Sequence, residues 1–310
     1  MGFDLKKLGA FFRSLNFMAR DAATMTGRAV SEVFVAEKNA VAARLGKDGY
    51  EPIATGKLAD PPVMSGQESF AKYTPIRGSL YIDGVSERDV AQGMIGDCYF
   101  LSALASVARS RPELITNAIK KNDDGTVTVT FKDPNGQAVP ITVDADLPRI
   151  NLPLVRDVTV YGGSSTPGEL WPALVEKAYA QWKGSYEAIG KGGWPAGALQ
   201  ALTGLPSQSL WVSTTLPPGE LGPKLKALVD AKAIITGSTK AEPGADRVPS
   251  IVPNHAYTLE GVEQRGGNWF VKLRNPWGMG EPAGNGKNDG SFEIPLADFQ
   301  KAFTAVDWVQ

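Results

Sequence analysis

The 310-residue chain balances 32 basic against 33 acidic side chains, for a net charge of -1 with 43% hydrophobic residues. That is enough length for two buried cores, and no basic stripe marks it for nucleic acid or an anionic membrane. One cysteine excludes an internal disulfide, and one histidine leaves too few soft ligands for zinc or iron, so any metal would rest on oxygen ligands.

From Leu5 to Leu45, apolar residues including Leu8, Phe11, Leu15, Met18, Met25 and Val33 recur at steps of three and four. That spacing predicts a helix or helical pair ending at Gly46. The Gly- and Pro-rich "GKDGYEPIATGKLADPPVMSG" reads as a linker, which puts a boundary near Ser65. The apolar stripe suits a packing arm on the main domain, with a propeptide-like or partner-binding role as the other reading. No apolar run approaches the ~18 residues of a membrane span, and the N-terminus lacks a secretory apolar block. The default compartment is cytoplasmic, with export lacking a cleaved signal left open.

The next block predicts a helix from Cys98 to about Ala108, stopped near Pro112. "TVTVTFKDPNGQAVPITVDADLP" alternates β-branched with polar residues around Pro-Asn-Gly and predicts a hairpin. "GELWPALVEKAYAQWKGSYEAI" is helical again, and "GKGGWPAGALQALTG" reads as a hinge or cleft wall. Farther on, "KAIITGS", "HAYTLEGVEQ" and "NWFVKLRNPWG" predict strands of a mainly β second lobe.

Cys98 is the chain's only cysteine and either packs or reacts. With Asp97 as N-cap, its sulfur falls in the first turn of a buried helix. Unpaired N–H groups and the positive helix end there favour thiolate, so titration well below the free thiol's ~8.5 is expected. A thiolate nucleophile needs a base and an oxyanion donor. The chain offers one imidazole, His255 in "PNHAYTLEGV", and Asn275 in "RNPWG" to orient it. The order Cys, distant His, then Asn fits a papain-like layout. Gln92, six residues before the cysteine, supplies an amide N–H for the oxyanion.

Together "QGMIGDCYFLSALAS", "ELWPALVEKAYAQWKGSYEA", "NHAYTLEGV" and "RNPWG" resemble the catalytic core of the calpain family of cysteine proteases, in the family's order, from about Tyr81 to the C-terminus. The resemblance implies an α+β, papain-like two-lobed core: a mainly helical lobe at residues 66–193 with the nucleophile helix, a mainly β lobe at 194–310 with His and Asn, and an N-terminal helical extension and linker at 1–65. It makes Cys98 the nucleophile, His255 the base and acid, Asn275 the orienting residue and Gln92 the oxyanion donor. Trp277 falls at the family's cleft tryptophan, and Gly192 and Gly193 would let an extended substrate strand bond to the cleft wall.

The resemblance also implies calcium held by hard oxygens. Asp89 and Glu169, with backbone near Ile82 and Gly84, match the first-lobe ligands. Glu281 and Asp289 match the second-lobe ligands, but Ser291 stands where a carboxylate is expected, so that site is the weaker. Asn254 replaces the glycine that usually precedes the histidine, which would narrow the cleft on that side.

The function that follows is a cysteine endopeptidase acting on proteins or peptides, with calcium activation as a further expectation. A non-catalytic binding module that keeps the fold is the rival reading, and an acyl transferase using the same dyad a third. The N-terminal helices are expected to cover the cleft or part the lobes until the linker is cut.

Overall fold

The computed structural model describes residues 53–152, 155–212, 216–242, 247–279 and 289–310. The N-terminal amphipathic stretch lies outside the described residues. Two buried apolar clusters organise the rest.

The part of the chain around the first cluster forms β1 (Ala71–Pro75), β2 (Val90–Ala91), α1 (Cys98–Ser110), α2 (Pro112–Ala118), β3 (Ile119–Lys121), β4 (Val127–Lys132), β5 (Ala138–Val143), β6 (Asp146–Leu152), β7 (Val155–Thr159), β8 (Gly163–Ser164), α3 (Trp171–Lys183), α4 (Tyr186–Gly190) and α5 (Pro195–Thr203). Helices are expected here, yet three small sheets join them: β1-β6-β7, β3-β4-β5 and β2-β8. The predicted hairpin is β4 and β5, antiparallel, with β4 burying alternate residues Val127, Val129 and Phe131.

The second cluster packs under a six-stranded sheet in the order β13-β12-β11-β10-β14-β9. Its strands are β9 (Gln208–Trp211), β10 (Ile234–Thr239), β11 (Ala256–Arg265), β12 (Asn268–Arg274), β13 (Ser291–Pro295) and β14 (Phe303–Val309), with α6 (Pro218–Asp230) and α7 (Leu296–Ala302) alongside. The three strands predicted from "KAIITGS", "HAYTLEGVEQ" and "NWFVKLR" are β10, β11 and β12.

α1 joins the two clusters. Residues Tyr99 to Ala108 are all buried, because small Ala and Ser positions let the helix lie directly on β10 and β11. Ser106 Oγ accepts from Ile235 N at 2.9 Å and donates to Ile235 O at 2.8 Å, and Thr258 Oγ1 donates to Ser102 O at 2.8 Å. Burying Phe100, Leu101 and Leu104 contributes about 1.5–3 kcal/mol each. The result places the cysteine-bearing end of α1 beside the start of β11.

Two expectations are corrected. The segment from Ile53 to Ser65, read as a loose linker, is strapped to the first cluster. Leu58 N and Lys57 N both donate to Asp144 Oδ2, Gly56 N donates to Asp146 Oδ2, and Tyr186 N donates to Pro62 O. Asp60 reaches the buried Lys177 at 2.6 Å, and Lys177 also pairs with Asp144 at 2.8 Å. Of the stretch read as a hinge or cleft wall, the part from Pro195 on is no hinge but α5, which Pro195 opens and Gly204 ends with a left-handed φ of 74°; its Ala198, Leu199 and Leu202 sit in the first cluster.

Candidate active site

Cys98 begins α1. Three backbone N–H groups face its sulfur, those of Cys98 and Tyr99 from the helix start and that of Ala256 from β11. The last belongs to the residue after His255, so the sulfur lies against the start of the strand that carries the imidazole. The N–H groups lower the thiol pKa as the helix-end argument requires. Burial outweighs them and, with the charge of Asp97, pushes the thiol up to about 11. The net direction is upward, against the expectation of a thiol depressed by its helix end, although the cysteine itself is only half-buried.

His255 is held from both sides of its own backbone. Its N–H donates to Thr239 Oγ1 at 2.9 Å, and its carbonyl accepts from Thr239 N at 2.9 Å. Asn254 before it has a φ of 51°, the left-handed conformation that asparagine tolerates where glycine is usual. The imidazole is buried, and burial pulls it down to about 4, partly offset by the hydrogen bond to Asn275.

That hydrogen bond fixes the tautomer. Asn275 Oδ1 accepts from Trp277 N at 3.1 Å and lies 3.0 Å from His255 Nε2. A backbone N–H bonds only to the amide oxygen, so the amide orientation is set and Nε2 must carry the proton. Nδ1 is left with the lone pair. Trp277 covers the contact, its ring centroid 5.1 Å from that of His255.

Asn275 follows β12, and its N–H donates to Gly290 O at 2.9 Å. Arg274 just before it is buried and donates through Nη2 to Val90 O at 2.9 Å. That bond ties the Asn275 strand to the loop of Gln92. Gln92 N donates to Pro276 O at 2.8 Å, placing this glutamine at the Asn-Pro-Trp-Gly turn. One N–H of its amide goes to Ile95 O at 2.7 Å, leaving the second for another acceptor.

Gly192 and Gly193 are exposed, beside Lys191, which bridges Gly96 two residues before the cysteine. Gly193 is sterically required, since a Cβ there would lie 2.8 Å from the Tyr99 ring. At Gly192 a φ of 89° selects glycine, although the space around it is open.

The predicted calcium ligands fall in two places. Asp89 and Glu169 are both buried and hydrogen-bond to one another. Asp89 Oδ2 accepts from Ser86 N at 2.7 Å, and Glu169 accepts from Ile82 N at 2.7 Å and Ser164 Oγ at 2.8 Å. Ile82 thus presents its N–H to Glu169, in a loop where Gly84 has a φ of 96°. Burial and the neighbouring Asp89 charge push Glu169 up to about 7. Among the described residues no cluster of three or more such side chains is arranged for a metal. Glu281 lies outside the described residues. Asp289 Oδ1 accepts from Ser291 N at 3.1 Å, while the Ser291 hydroxyl goes to Glu260, itself 3.2 Å from Lys272.

Sequence reasoning missed Thr239, which pins His255, and Glu176, which faces Asp97. Asp97 itself stands at the N-cap position but makes no side-chain cap. It is fully buried instead.

A model of the "Calpain family cysteine protease" family matches residues 72–289. The chain is 31% identical over 211 residues to "Calpain" of Schistosoma mansoni, covering 64% of this chain and 27% of that protein. It is 33% identical over 205 residues to "Calpain-type cysteine protease DEK1" of Zea mays, covering 64% of this chain and 9% of that one. It is 30% identical over 221 residues to "Thiol protease" of Porphyromonas gingivalis, covering 64% and 45%. The chain thus spans less than half the length of each of these relatives. Among solved structures, digestive procathepsin L 3 of Tenebrio molitor larval midgut gives a TM-score of 0.30 at 12% identity, covering 98% of this chain and 99% of that one, a likeness too slight to carry weight.

Proposed function

Since this chain belongs to the calpain family of cysteine proteases, we propose that it is a cysteine endopeptidase in which Cys98, His255 and Asn275 act as a unit across two papain-like lobes. The observation that carries the reading is the buried His255 Nε2–Asn275 Oδ1 contact under Trp277, on the strand whose first N–H faces the Cys98 sulfur.

Asn275 leaves Nδ1 of His255 as the base. As the sulfur attacks the substrate carbonyl carbon, the thiol proton passes to Nδ1. The carbonyl becomes an oxyanion received by the Cys98 N–H and the second amide N–H of Gln92. The imidazolium then protonates the leaving amine, the C–N bond breaks and a thioester remains. Water, deprotonated by the same imidazole, cleaves the thioester and restores the thiol. Gly192 and Gly193 bond the extended substrate main chain, which makes specificity loose and favours unfolded or looped segments.

The first-lobe site is the better candidate for calcium. Two buried carboxyls hydrogen-bonded to one another are donors that a hard ion would take, and Asp89 and Glu169 would hold it with carbonyls near Ile82 and Gly84. Bound there, the ion supplies charge neutralisation in the loop that leads to Gln92. The second site lacks such support, because Ser291 has no carboxylate and Glu260 is already paired with Lys272.

Replacing Cys98 by Ala tests the assignment: casein cleavage disappears while the thermal melt stays within a few degrees of wild type. Persistent cleavage by the alanine variant refutes it. A binding module that kept the fold would leave Cys98 unlabelled by a peptide epoxide.

A further inference from the structure

The residue before the nucleophile has a side chain that the mechanism above leaves unused. The Asp97 carbonyl starts α1, accepting from Phe100 N at 2.8 Å and Leu101 N at 3.1 Å. Its carboxyl is 0% exposed. Apart from its own backbone N–H, no donor among the described residues reaches either carboxyl oxygen. What faces it is Glu176, 1% exposed on α3, whose two oxygens accept from Gly162 N at 2.8 and 2.9 Å.

Ionised carboxylates only accept hydrogen bonds. The Asp97–Glu176 hydrogen bond therefore exists only while the pair keeps one proton. Nothing nearby offsets a second charge. The titratable groups around the pair are Cys98 and Tyr99 on α1, Tyr179 on α3, Tyr186 on α4, Tyr161 next to Gly162 and Tyr73 on β1. Burial raises all six, so they stay neutral at pH 7. Lys177, adjacent on α3, is turned away to Asp60 and Asp144. Gly162 is shaped for the arrangement, because a Cβ there would lie 2.7 Å from Glu176 Oε1.

We propose that Asp97 and Glu176 are positioning residues for the nucleophile, a proton-sharing carboxyl pair that fastens the first turn of α1 to α3 and holds the charge behind Cys98 at one unit instead of two. Only its kinetic consequence rests on the protease reading; the shared proton does not. The pair resists ionisation in the folded state, so folding takes up a proton above the ordinary carboxyl range. By linkage, that contribution is full at low pH and is lost as pH rises toward the pair's own titration.

The test compares wild type with Glu176→Gln and Glu176→Ala by urea unfolding from pH 7 to 9, with peptide hydrolysis in parallel. Gln keeps a donor for Asp97 and an acceptor for Gly162 without a titrating proton. The expected result is that the wild-type folding constant falls relative to that of the Gln variant by about tenfold per pH unit. The Gln variant should hydrolyse peptide within about twofold of wild type at pH 7, and the Ala variant should lose about tenfold or more. A protonated-carboxyl infrared band should vanish between wild type and the Gln variant. Parallel pH dependences of stability, or no difference band, overturn the shared proton even if Ala fails to fold. A Gln variant as impaired as Ala in hydrolysis overturns the positioning role. If wild type itself hydrolyses nothing, the protease reading fails, and the stability slopes and infrared band still decide the shared proton.

Discussion

Asn275→Asp asks how far the orienting residue sets the electrical state of the dyad. With the thiol at about 11 and the imidazole at about 4, moving the proton from sulfur to ring opposes a gap of about seven pH units, ~9–10 kcal/mol at 1.36 kcal/mol per unit. Attraction between the two charges would return about 4 kcal/mol at an effective dielectric of 20, were they to come within about 4 Å. Even so, the neutral pair prevails at rest. An Asp at 275 would keep both acceptor contacts, to His255 Nε2 and Trp277 N, and set a negative charge against the ring. A charge at that range raises an imidazole by about 1–3 units, which reduces the cost by ~1.4–4 kcal/mol and multiplies the thiolate–imidazolium form by about 10 to 1,000. Cys98 is the sole cysteine, so the rate of alkylation by iodoacetamide reads this population directly. At pH 7 the Asp variant should react at least ~10 times faster than wild type. Superimposed alkylation profiles, from a variant whose thermal melt shows it folded, would refute the reasoning that Asn275 governs the imidazole.

Three further outcomes follow from the same contacts. Lys177→Met strands the fully buried Asp144 without its cation and should cost about 3–5 kcal/mol by urea denaturation; a loss under 1 kcal/mol would show that the pair is dispensable. If calcium binds at Asp89 and Glu169 as proposed, it must expel the proton that Glu169, raised by burial to about 7, still carries below that pH, so calorimetric affinity should climb about tenfold per unit as pH rises toward 7 and then level off. An affinity that does not change between about pH 5 and pH 7 would count against the site. A chain beginning at Gly66 loses the Asp60–Lys177 ion pair and the strap on Asp144, so its melting temperature should drop by several degrees; an unchanged melt would mean that the strap contributes nothing.

The catalytic candidates were legible because chemistry restricts them. A chain with one cysteine and one histidine leaves a thiol–imidazole pair no other members, and the resemblance of "RNPWG" to the family's motif singled out Asn275 among the chain's many other amides and carboxylates. Element boundaries came through where punctuation is local: α1 ends at Ser110 because Pro112 opens the next helix. The same punctuation was misread at α5, where proline at the first helical position and glycine just past the last are a helix's own signature. Glycines gathered around Gly192 made that stretch look like a hinge instead.

What the sequence could not show was depth. An aspartate before a helix is expected to cap it, and a cysteine at the helix start is expected to ionise, provided that solvent reaches both. Here α1 is buried from its first turn, so Asp97 turns to Glu176 for a proton and the thiol of Cys98 rises instead of falling. Both departures trace to scarce water at the start of α1, where Asp97 is fully buried and Cys98 partly so, and both act on charge. A carboxyl pair holding one proton and a thiol holding its own leave a single negative unit at the nucleophile's end of the helix. Activation then depends on substrate and imidazole drawing the thiol proton away during attack, because the resting sulfur keeps it.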